Sequence, residues 1–132
     1  MYAVEVRDRI MIAHSLPDPL FGPAQQLHGA TFVVDVAFFC EQLTAQNVVA
    51  DIGAAHAALR DVLAPLGYRN LDELPHFAGK LTTTEFLCRH VFDAMLDALR
   101  AGRLGAGAVI SKIRVTLRET DLASAWFEGD VR

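Results

Sequence analysis

The sequence has 132 residues, enough for one domain, and it is rich in apolar residues. Hydrophobic residues make up 52% of it and charged residues 21%, so the chain has ample apolar surface to bury and intrinsic disorder is excluded. Acidic residues (16) outnumber basic residues (12), and no cluster of lysine and arginine is present to neutralise phosphates. We expect a single domain over residues 1–132 that binds no nucleic acid.

No segment is typical of a membrane span or a secretory leader. The stretch from Leu20 to Val34 has no charged residue but contains two glycines and a proline, whereas a span needs about 20 mainly apolar residues. The first residues alternate in charge and have no apolar core. Cys40 and Cys88 each lie in an apolar stretch, which favours buried free thiols over a single disulfide. We expect a cytoplasmic protein with no membrane partner.

The combination of small size and high hydrophobicity favours an oligomer. A domain of this length buries about two-thirds of the surface that its unfolded chain exposes. Apolar surface that the fold cannot cover is then available for contacts between subunits.

Two strands, joined by a long connection, begin the chain. Alternation predicts one strand that starts at Tyr2 and resumes from Ile10 to His14, and another from His28 to Phe38. Even-numbered side chains share one face of each strand, because successive residues point to opposite sides. The connection holds three prolines and a glycine, so it is predicted to be a loop.

Two amphipathic helices follow a short piece, Asn47–Gly53, that is predicted to be extended. The first helix begins after Asp51, a suitable N-cap, and is stopped by Pro65. The second covers Thr84–Arg100 with Thr83 or Thr84 as its cap, and its apolar residues form one stripe: Phe86, Leu87, Val91, Met95, Leu96 and Leu99.

Two more strands, Lys112–Arg118 and Ser124–Glu128, follow a connector, Leu104–Ala108, that is predicted to be flexible. The order of elements, ββααββ, predicts the α+β class, with two helices on one face of a four-stranded antiparallel sheet. The adjacent Phe38 and Phe39 predict that both faces of this sheet are partly apolar.

Histidines are the first candidates for chemistry, and they are His14, His28, His56, His76 and His90. Each of the two on strands, taken alone, is more often a hydrogen-bonded core histidine than a metal ligand. Two others fall within the helices and are predicted to lie on the surface or at an amphipathic position. His76 lies in the loop before the second helix, where nothing in the sequence supports a ligand contact.

Six motifs occur in one order along the chain and together resemble a known family. They are Ile12–His14, Leu27–Ala30, Val49–Gly53, Asn70–Gly79, Thr83–Glu85 and Arg118–Asp121. The sequence is similar to the 6-pyruvoyl tetrahydropterin synthase family, which includes the bacterial 6-carboxytetrahydropterin synthases, from about Tyr2 to Gly129. The resemblance implies the tunnelling fold, in which three subunits close a twelve-stranded barrel. It also implies a homohexamer made of two stacked trimers.

The resemblance implies a zinc site that is incomplete in this chain. Active family members bind zinc through three histidines, one after the first strand and two in a His-Gly-His on the second. His-x-His suits this task because alternate residues of a strand face the same side, so two imidazoles point at one ion. A third histidine from the neighbouring strand completes a site that keeps one open position for substrate. His14 and His28 match two ligand positions, but Ala30 occupies the third. We expect zinc to be absent or weakly bound, with His76 left open as a substitute ligand.

The proton-transfer groups of the family also have no full counterpart. The family's general-base cysteine lies a few residues before His-Gly-His, where this chain has Pro23–Leu27 without any titratable group. The family's Leu-Asp-His relay aligns with Leu66, Gly67 and Tyr68. Gly67 has no side chain, and a phenol is a poor base at neutral pH, so a catalytic role for Tyr68 is doubtful. Neither cysteine lies where it would replace the base.

The ligand-recognition residues of the family are present. Glu119 matches the family's glutamate that holds the amino-pyrimidinone edge of the pterin. A glutamate suits this task because its carboxylate accepts hydrogen bonds from two adjacent N–H donors. Thr83, Thr84 and Glu85 match the segment that lines the same pocket. An ordinary helix N-terminal carboxylate is an equal alternative for Glu85.

These residues predict a homologue that binds a pterin-like or purine-like molecule and lacks the family's carbon-oxygen lyase reaction. Two alternatives remain open. One is a zinc-dependent pterin lyase or epimerase with altered catalytic residues, among them Tyr68. The other is a purely structural ring.

Overall fold

The computed structural model describes residues 1–105 and 109–132, so most of the predicted connector Leu104–Ala108 lies outside the described residues. Its principal elements are β1 (Tyr2–His14), β2 (His28–Cys40), α1 (Ile52–Leu63), α2 (Thr84–Arg100), β3 (Lys112–Arg118) and β4 (Ser124–Asp130). The strands form one antiparallel sheet in the order β1-β2-β3-β4. α1 packs on β1, and α2 packs on β3 and β4. The predicted α+β class with the order ββααββ is confirmed.

The first strand is continuous, whereas the sequence predicted an interruption between its two halves. Asp8 pairs with Val34 and Arg9 with Val33, so the charged residues stay within the ladder of hydrogen-bonded strands. The predicted buried face is confirmed, because the even-numbered residues from Phe32 to Phe38 are all almost fully buried. One core of apolar side chains therefore lies between this face and the helices.

The segment Asn47–Gly53 is not extended, and that prediction is wrong. The backbone N–H of Asn47 donates to the Thr44 carbonyl at 2.9 Å, which closes a turn, and Asn47 has a φ of 62°. Asparagine tolerates this left-handed conformation better than most residues. The last two residues of the segment already belong to α1.

The connection between β1 and β2 was predicted to be a loop because of its prolines. It contains short 3-10 turns over Pro19–Gln25. Asp18 caps them by accepting a hydrogen bond from the backbone N–H of Leu20 at 2.9 Å. Gly22 separates two turns at a φ of 51°. A local cap and a glycine thus give this proline-rich segment a defined backbone.

The N-caps of both helices are residues that the sequence predicts. The side chain of Asp51 accepts a hydrogen bond from Ala54 at 3.1 Å, and Thr83 accepts one from Phe86 at 3.1 Å, which selects Thr83 as the cap of α2. The buried stripe of α2 is rotated from the predicted one and consists of Leu87, Cys88, Val91, Phe92, Met95 and Ala98. The rotation arises because α2 packs against α1 as well as against β3 and β4.

The face of the sheet opposite the helices carries both charged and apolar side chains, among them Met11, Phe39 and Trp126, in agreement with the prediction of a partly apolar face. Asp35 is 1% exposed there and accepts hydrogen bonds from Arg7 Nε at 2.6 Å and from Arg118 Nε at 3.0 Å. Phe39 lies beneath two cations, with Lys112 Nζ at 5.5 Å and Arg114 Cζ at 5.4 Å from its ring centroid. Charged side chains of β1, β2 and β3 therefore cover part of this face, for which the sequence alone did not predict a covering group.

Replacing Asp35 by asparagine is expected to lower the free energy of unfolding by about 2 kcal/mol at pH 7, because it leaves two guanidinium groups without their buried counter-charge. The hydrogen bond from Arg7 holds the pKa of Asp35 below its ordinary value. The stabilisation is therefore complete above the ordinary aspartate pKa and is lost as the pH falls through the lower folded-state pKa. Urea unfolding of both proteins from pH 7 to pH 3 measures the difference.

The exposed pair of Arg89 and Asp93, with Nε and Oδ1 at 3.0 Å, provides the matched control. Replacing Asp93 by asparagine is expected to cost about 0.5 kcal/mol or less. An equal loss in both variants, or a difference for Asp35 that does not shrink in acid, would contradict the assignment.

Candidate functional site

The histidines at the end of β1 and the start of β2 form a cross-strand pair. His14 lies opposite His28 in the strand register, and their ring centroids are 4.7 Å apart with planes inclined by 63°. The pairing follows from the antiparallel register, which places these two residues side by side although a long connection separates them. The structure thus brings together the two histidines that the sequence analysis predicted to be remnant zinc ligands.

Hydrogen bonds orient both rings. Nδ1 of His28 donates to the Gln26 carbonyl at 2.8 Å, which leaves Nε2 with a free lone pair. His14 is buried, and its Nδ1 lies 3.0 Å from Oγ1 of Thr82. Burial, and then the nearby His28, lower the pKa of His14, while the carboxylates of Asp72 and Glu119 act in the opposite direction. His14 therefore favours the neutral form, which is the form that accepts a hydrogen bond or binds a metal.

The third ligand position has no donor atom. Ala30 lies on the same strand face as His28 and pairs with Ile12. His76 is not drawn into the site, because its ring contacts Phe77 at 4.3 Å and His90 at 5.9 Å between centroids.

Within residues 1–105 and 109–132, no group of three or more His, Cys, Asp or Glu side chains is arranged to hold a metal ion. A catalytic zinc centre usually takes three protein ligands, and two imidazoles are one short. The residues present therefore do not fit such a centre.

A small cavity lies between the start of α2 and the β3–β4 turn. Its volume is about 190 Å³, and it is lined by Thr84, Glu85, Glu119, Ala123, Ser124 and Ala125. Thr84 Oγ1 donates to Oε2 of Glu119 at 3.4 Å, and the Glu119 backbone N–H donates to the Ala123 carbonyl at 3.2 Å. The structure thus brings together three of the four predicted ligand-binding residues. We name these six residues the Glu119 cavity.

The fourth predicted ligand-binding residue has a structural task. Thr83 caps α2 through its hydroxyl and does not line the Glu119 cavity. Glu85 is exposed in the first turn of α2 and also lines the cavity, so its position is compatible with both of the roles that the sequence left open.

Tyr68, which the sequence resemblance aligned with the family's histidine, lies outside the Glu119 cavity. It is 86% exposed, has a φ of 59°, and donates its backbone N–H to the Met11 carbonyl at 2.7 Å. Its neighbours include Arg9 and Arg60, which line another cavity with it. The two cavities share no lining residue.

Both cysteines are free and buried. Sγ of Cys88 donates to the Ala125 carbonyl at 3.3 Å, and burial raises the pKa of Cys88 to about 11. A thiol with this pKa stays protonated at neutral pH and cannot serve as a general base. Cys40 is fully buried in the core between the sheet and the helices.

Two polar residues beside the histidine pair were missed by the sequence analysis. Thr82 is 2% exposed and holds His14, and Asp72 accepts hydrogen bonds from the backbone N–H and the hydroxyl of Ser15, the latter at 2.6 Å. No alternation distinguishes Thr82 from the neighbouring threonines. Asp72 lies in the motif Asn70–Gly79, but its hydrogen-bond partner, Ser15, is distant in sequence.

Comparisons with known proteins identify the family and the fold of this chain. The family model for 6-pyruvoyl tetrahydropterin synthase matches residues 3–130. The Caenorhabditis elegans 6-pyruvoyl tetrahydropterin synthase structure is 22% identical, with a TM-score of 0.80, and the match covers 97% of this chain and 95% of that chain. The Plasmodium vivax enzyme is 14% identical, with a TM-score of 0.79 and coverage of 98% and 99%.

The Plasmodium falciparum 6-pyruvoyl tetrahydropterin synthase is 14% identical, with a TM-score of 0.74 and coverage of 97% of this chain and 98% of that chain. A search of curated proteins finds no match. The structural matches show the tunnelling fold. Because the family model spans nearly the whole chain, this protein belongs to the 6-pyruvoyl tetrahydropterin synthase family.

Proposed function

We propose that this protein binds a flat, nitrogenous ring of the pterin or purine type at Glu119 and does not catalyse the lyase reaction of its family. One observation carries the proposal. The carboxylate of Glu119 lines the Glu119 cavity and lies close enough to affect the pKa of His14, whose histidine pair lacks a third ligand.

Glu119 suits ring recognition because of how its carboxylate is held. Oε2 accepts the Thr84 hydroxyl at 3.4 Å, a long contact, so the exposed carboxylate keeps most of its capacity to accept further hydrogen bonds. The 2-amino-4-oxo edge of a pterin presents adjacent N–H donors, and paired charge-assisted hydrogen bonds to a carboxylate are strong and directional. Thr84 and Glu85 border the same space and limit the orientations of the ring.

The proposal that the lyase reaction is absent rests on the groups near this anchor. Pro23–Leu27 contains no titratable side chain, and Gly67 has none at all. Tyr68 lines another cavity, and the Cys88 thiol is protonated at neutral pH. General acid-base catalysis needs a group within hydrogen-bond reach of the proton that moves, and no such base lines the Glu119 cavity except carboxylates assigned to binding.

We further propose that the chain forms a homohexamer, as a dimer of trimers, in the cytoplasm, with little or no bound zinc. The exposed Trp126 (62%) and the outer edge of β4 support an oligomer, because an edge strand offers unpaired backbone groups to a second sheet. The two free thiols support a reducing compartment. No helix in the described part of the chain is long and apolar enough to cross a membrane.

Titration of the chelator-free protein with pterins, followed by pterin fluorescence, tests the proposal together with metal analysis and a lyase assay. We expect saturable binding, zinc well below one ion per subunit, and no turnover of the family substrate. Near-stoichiometric zinc with turnover would favour a lyase or epimerase that uses Tyr68. Absence of saturable binding would leave only a scaffold.

A further inference from the structure

Cys88 is a buried residue of α2 that contacts a lining residue of the Glu119 cavity. The cavity lies between the start of α2, the turn after β3 and the start of β4, which contribute Thr84, Glu119 and Ala125 among others. Cys88 follows Thr84 by four positions and is fully buried. Residues four positions apart lie on the same side of a helix, so the thiol lies one turn beyond the α2 residues at the cavity.

The thiol is hydrogen-bonded to the first residues of β4. Sγ of Cys88 donates to the Ala125 carbonyl at 3.3 Å, and Ala125 itself lines the cavity. β4 lies at the edge of the described sheet, next to β3. One side of an edge strand has no neighbouring strand, so a contact from α2 helps to fix the position of its backbone.

Other contacts hold the middle of β4 against α2. The ring centroids of Phe92 and Phe127 are 4.8 Å apart, and Cζ of Arg89 lies 4.7 Å from the centroid of the Phe127 ring. Phe127 lies two residues beyond Ala125 and does not line the Glu119 cavity. The hydrogen bond from Cys88 acts instead on a residue that does line it.

The sulfur also lies against the backbone of β3. Burial raises the pKa of Cys88 to about 11, a hydrogen bond from the Leu117 backbone acts in the opposite direction, and the charge of Glu85 adds to the increase. Leu117 pairs with Ala125 in the strand register, so the thiol lies where α2 meets both strands. Because the thiol is protonated at neutral pH, it is able to donate to the Ala125 carbonyl.

We propose that Cys88 is a positioning residue for ring binding, whose thiol holds Ala125 in the position that gives the Glu119 cavity its width. This inference rests on the binding function proposed for Glu119. The cavity has a volume of only about 190 Å³, so small shifts of its sides change the fit of a flat ring. A site loses affinity when its supporting residues allow displacements of about 1 Å. Loss of the thiol donor therefore weakens ring binding although no group that touches the ring is removed.

The variants Cys88→Val and Cys88→Ser separate the hydrogen bond from packing. Valine is apolar and has no donor, whereas serine keeps a hydroxyl that donates to the Ala125 carbonyl. Fluorescence titration of the full chain with pterin is expected to show a dissociation constant about tenfold higher in Cys88→Val, the effect of one lost hydrogen bond. Cys88→Ser is expected to bind pterin nearly as the unmodified protein does. Thermal unfolding checks that each variant is folded at the temperature of the titration.

Cys40→Val is the matched control, because Cys40 is also a fully buried free thiol. It lies at the end of β2, which pairs with the start of β3, whereas Glu119 follows the end of β3. Its pterin affinity is expected to equal that of the unmodified protein. Unchanged affinity in Cys88→Val would overturn the proposal, as would equal losses in Cys88→Ser and Cys88→Val or equal losses at the two cysteines.

Amide hydrogen exchange without ligand distinguishes a failure of this inference from a failure of the proposed function. Cys88→Val is expected to increase exchange over residues 123–127 relative to Cys88→Ser and Cys40→Val, because the start of β4 is held less firmly. If the unmodified protein binds pterin but exchange is equal in all three variants, the inference alone is wrong. If the unmodified protein binds no pterin, the proposed function is wrong, and the role of Cys88 in ring binding is refuted with it.

Discussion

Replacing Glu119 by alanine is expected to weaken pterin binding by at least about 100-fold, because two charge-assisted hydrogen bonds to the ring edge are lost together. The substitution also removes the acceptor of the Thr84 hydroxyl, a long contact of 3.4 Å, so the loss belongs mainly to the ligand. Fluorescence titration of the variant and the unmodified protein measures the ratio of dissociation constants. Size-exclusion chromatography with light scattering is expected to show the same oligomeric state for both.

Glu41 provides a control for the loss of one negative charge. It lies just beyond the end of β2, is largely exposed, and is 3.8 Å from the N-terminal amine. Glu41→Ala is expected to bind pterin as the unmodified protein does. Unchanged affinity in Glu119→Ala, or an equal loss at Glu41, would count against Glu119 as the anchor.

Replacing Ala30 by histidine is expected to raise zinc retention toward one ion per subunit without producing turnover. Position 30 lies two residues beyond His28 on the same face of β2, so the new imidazole points toward the existing pair. Three imidazoles with one open position match the ligand set of a catalytic zinc site. Turnover is expected to stay absent because Gly67 and Pro23–Leu27 still lack proton-transfer groups.

Metal analysis after dialysis against a weak chelator measures the retention, and Thr31→His is the matched control. Thr31 is exposed on the opposite face of β2, so its histidine points away from His14 and His28. We expect the control to retain no more zinc than the unmodified protein. Turnover of the family substrate by the Ala30 variant would show that the assignment of the missing relay is wrong.

Short-range patterns in the sequence were sufficient to predict most of the helices and strands and the buried face of the sheet. Alternation along β2 identified the buried residues Phe32 to Phe38, because the two-residue period of a strand depends only on neighbouring positions. Asp51 marked the start of α1, since its side chain binds a backbone N–H three residues away. The failure at Asn47 has a local cause too, a turn closed by Thr44 that alternation does not register.

The amino-acid sequence by itself determined the α+β class, the N-caps of both helices, and the absence of a third histidine at position 30. Only the tertiary structure decided which polar side chains meet. Thr82 reaches His14 across 68 positions, Thr84 reaches Glu119 across 35, and Asp35 gathers arginines from two neighbouring strands. Such contacts depend on strand register and on how the helices pack on the sheet, which no short-range pattern encodes.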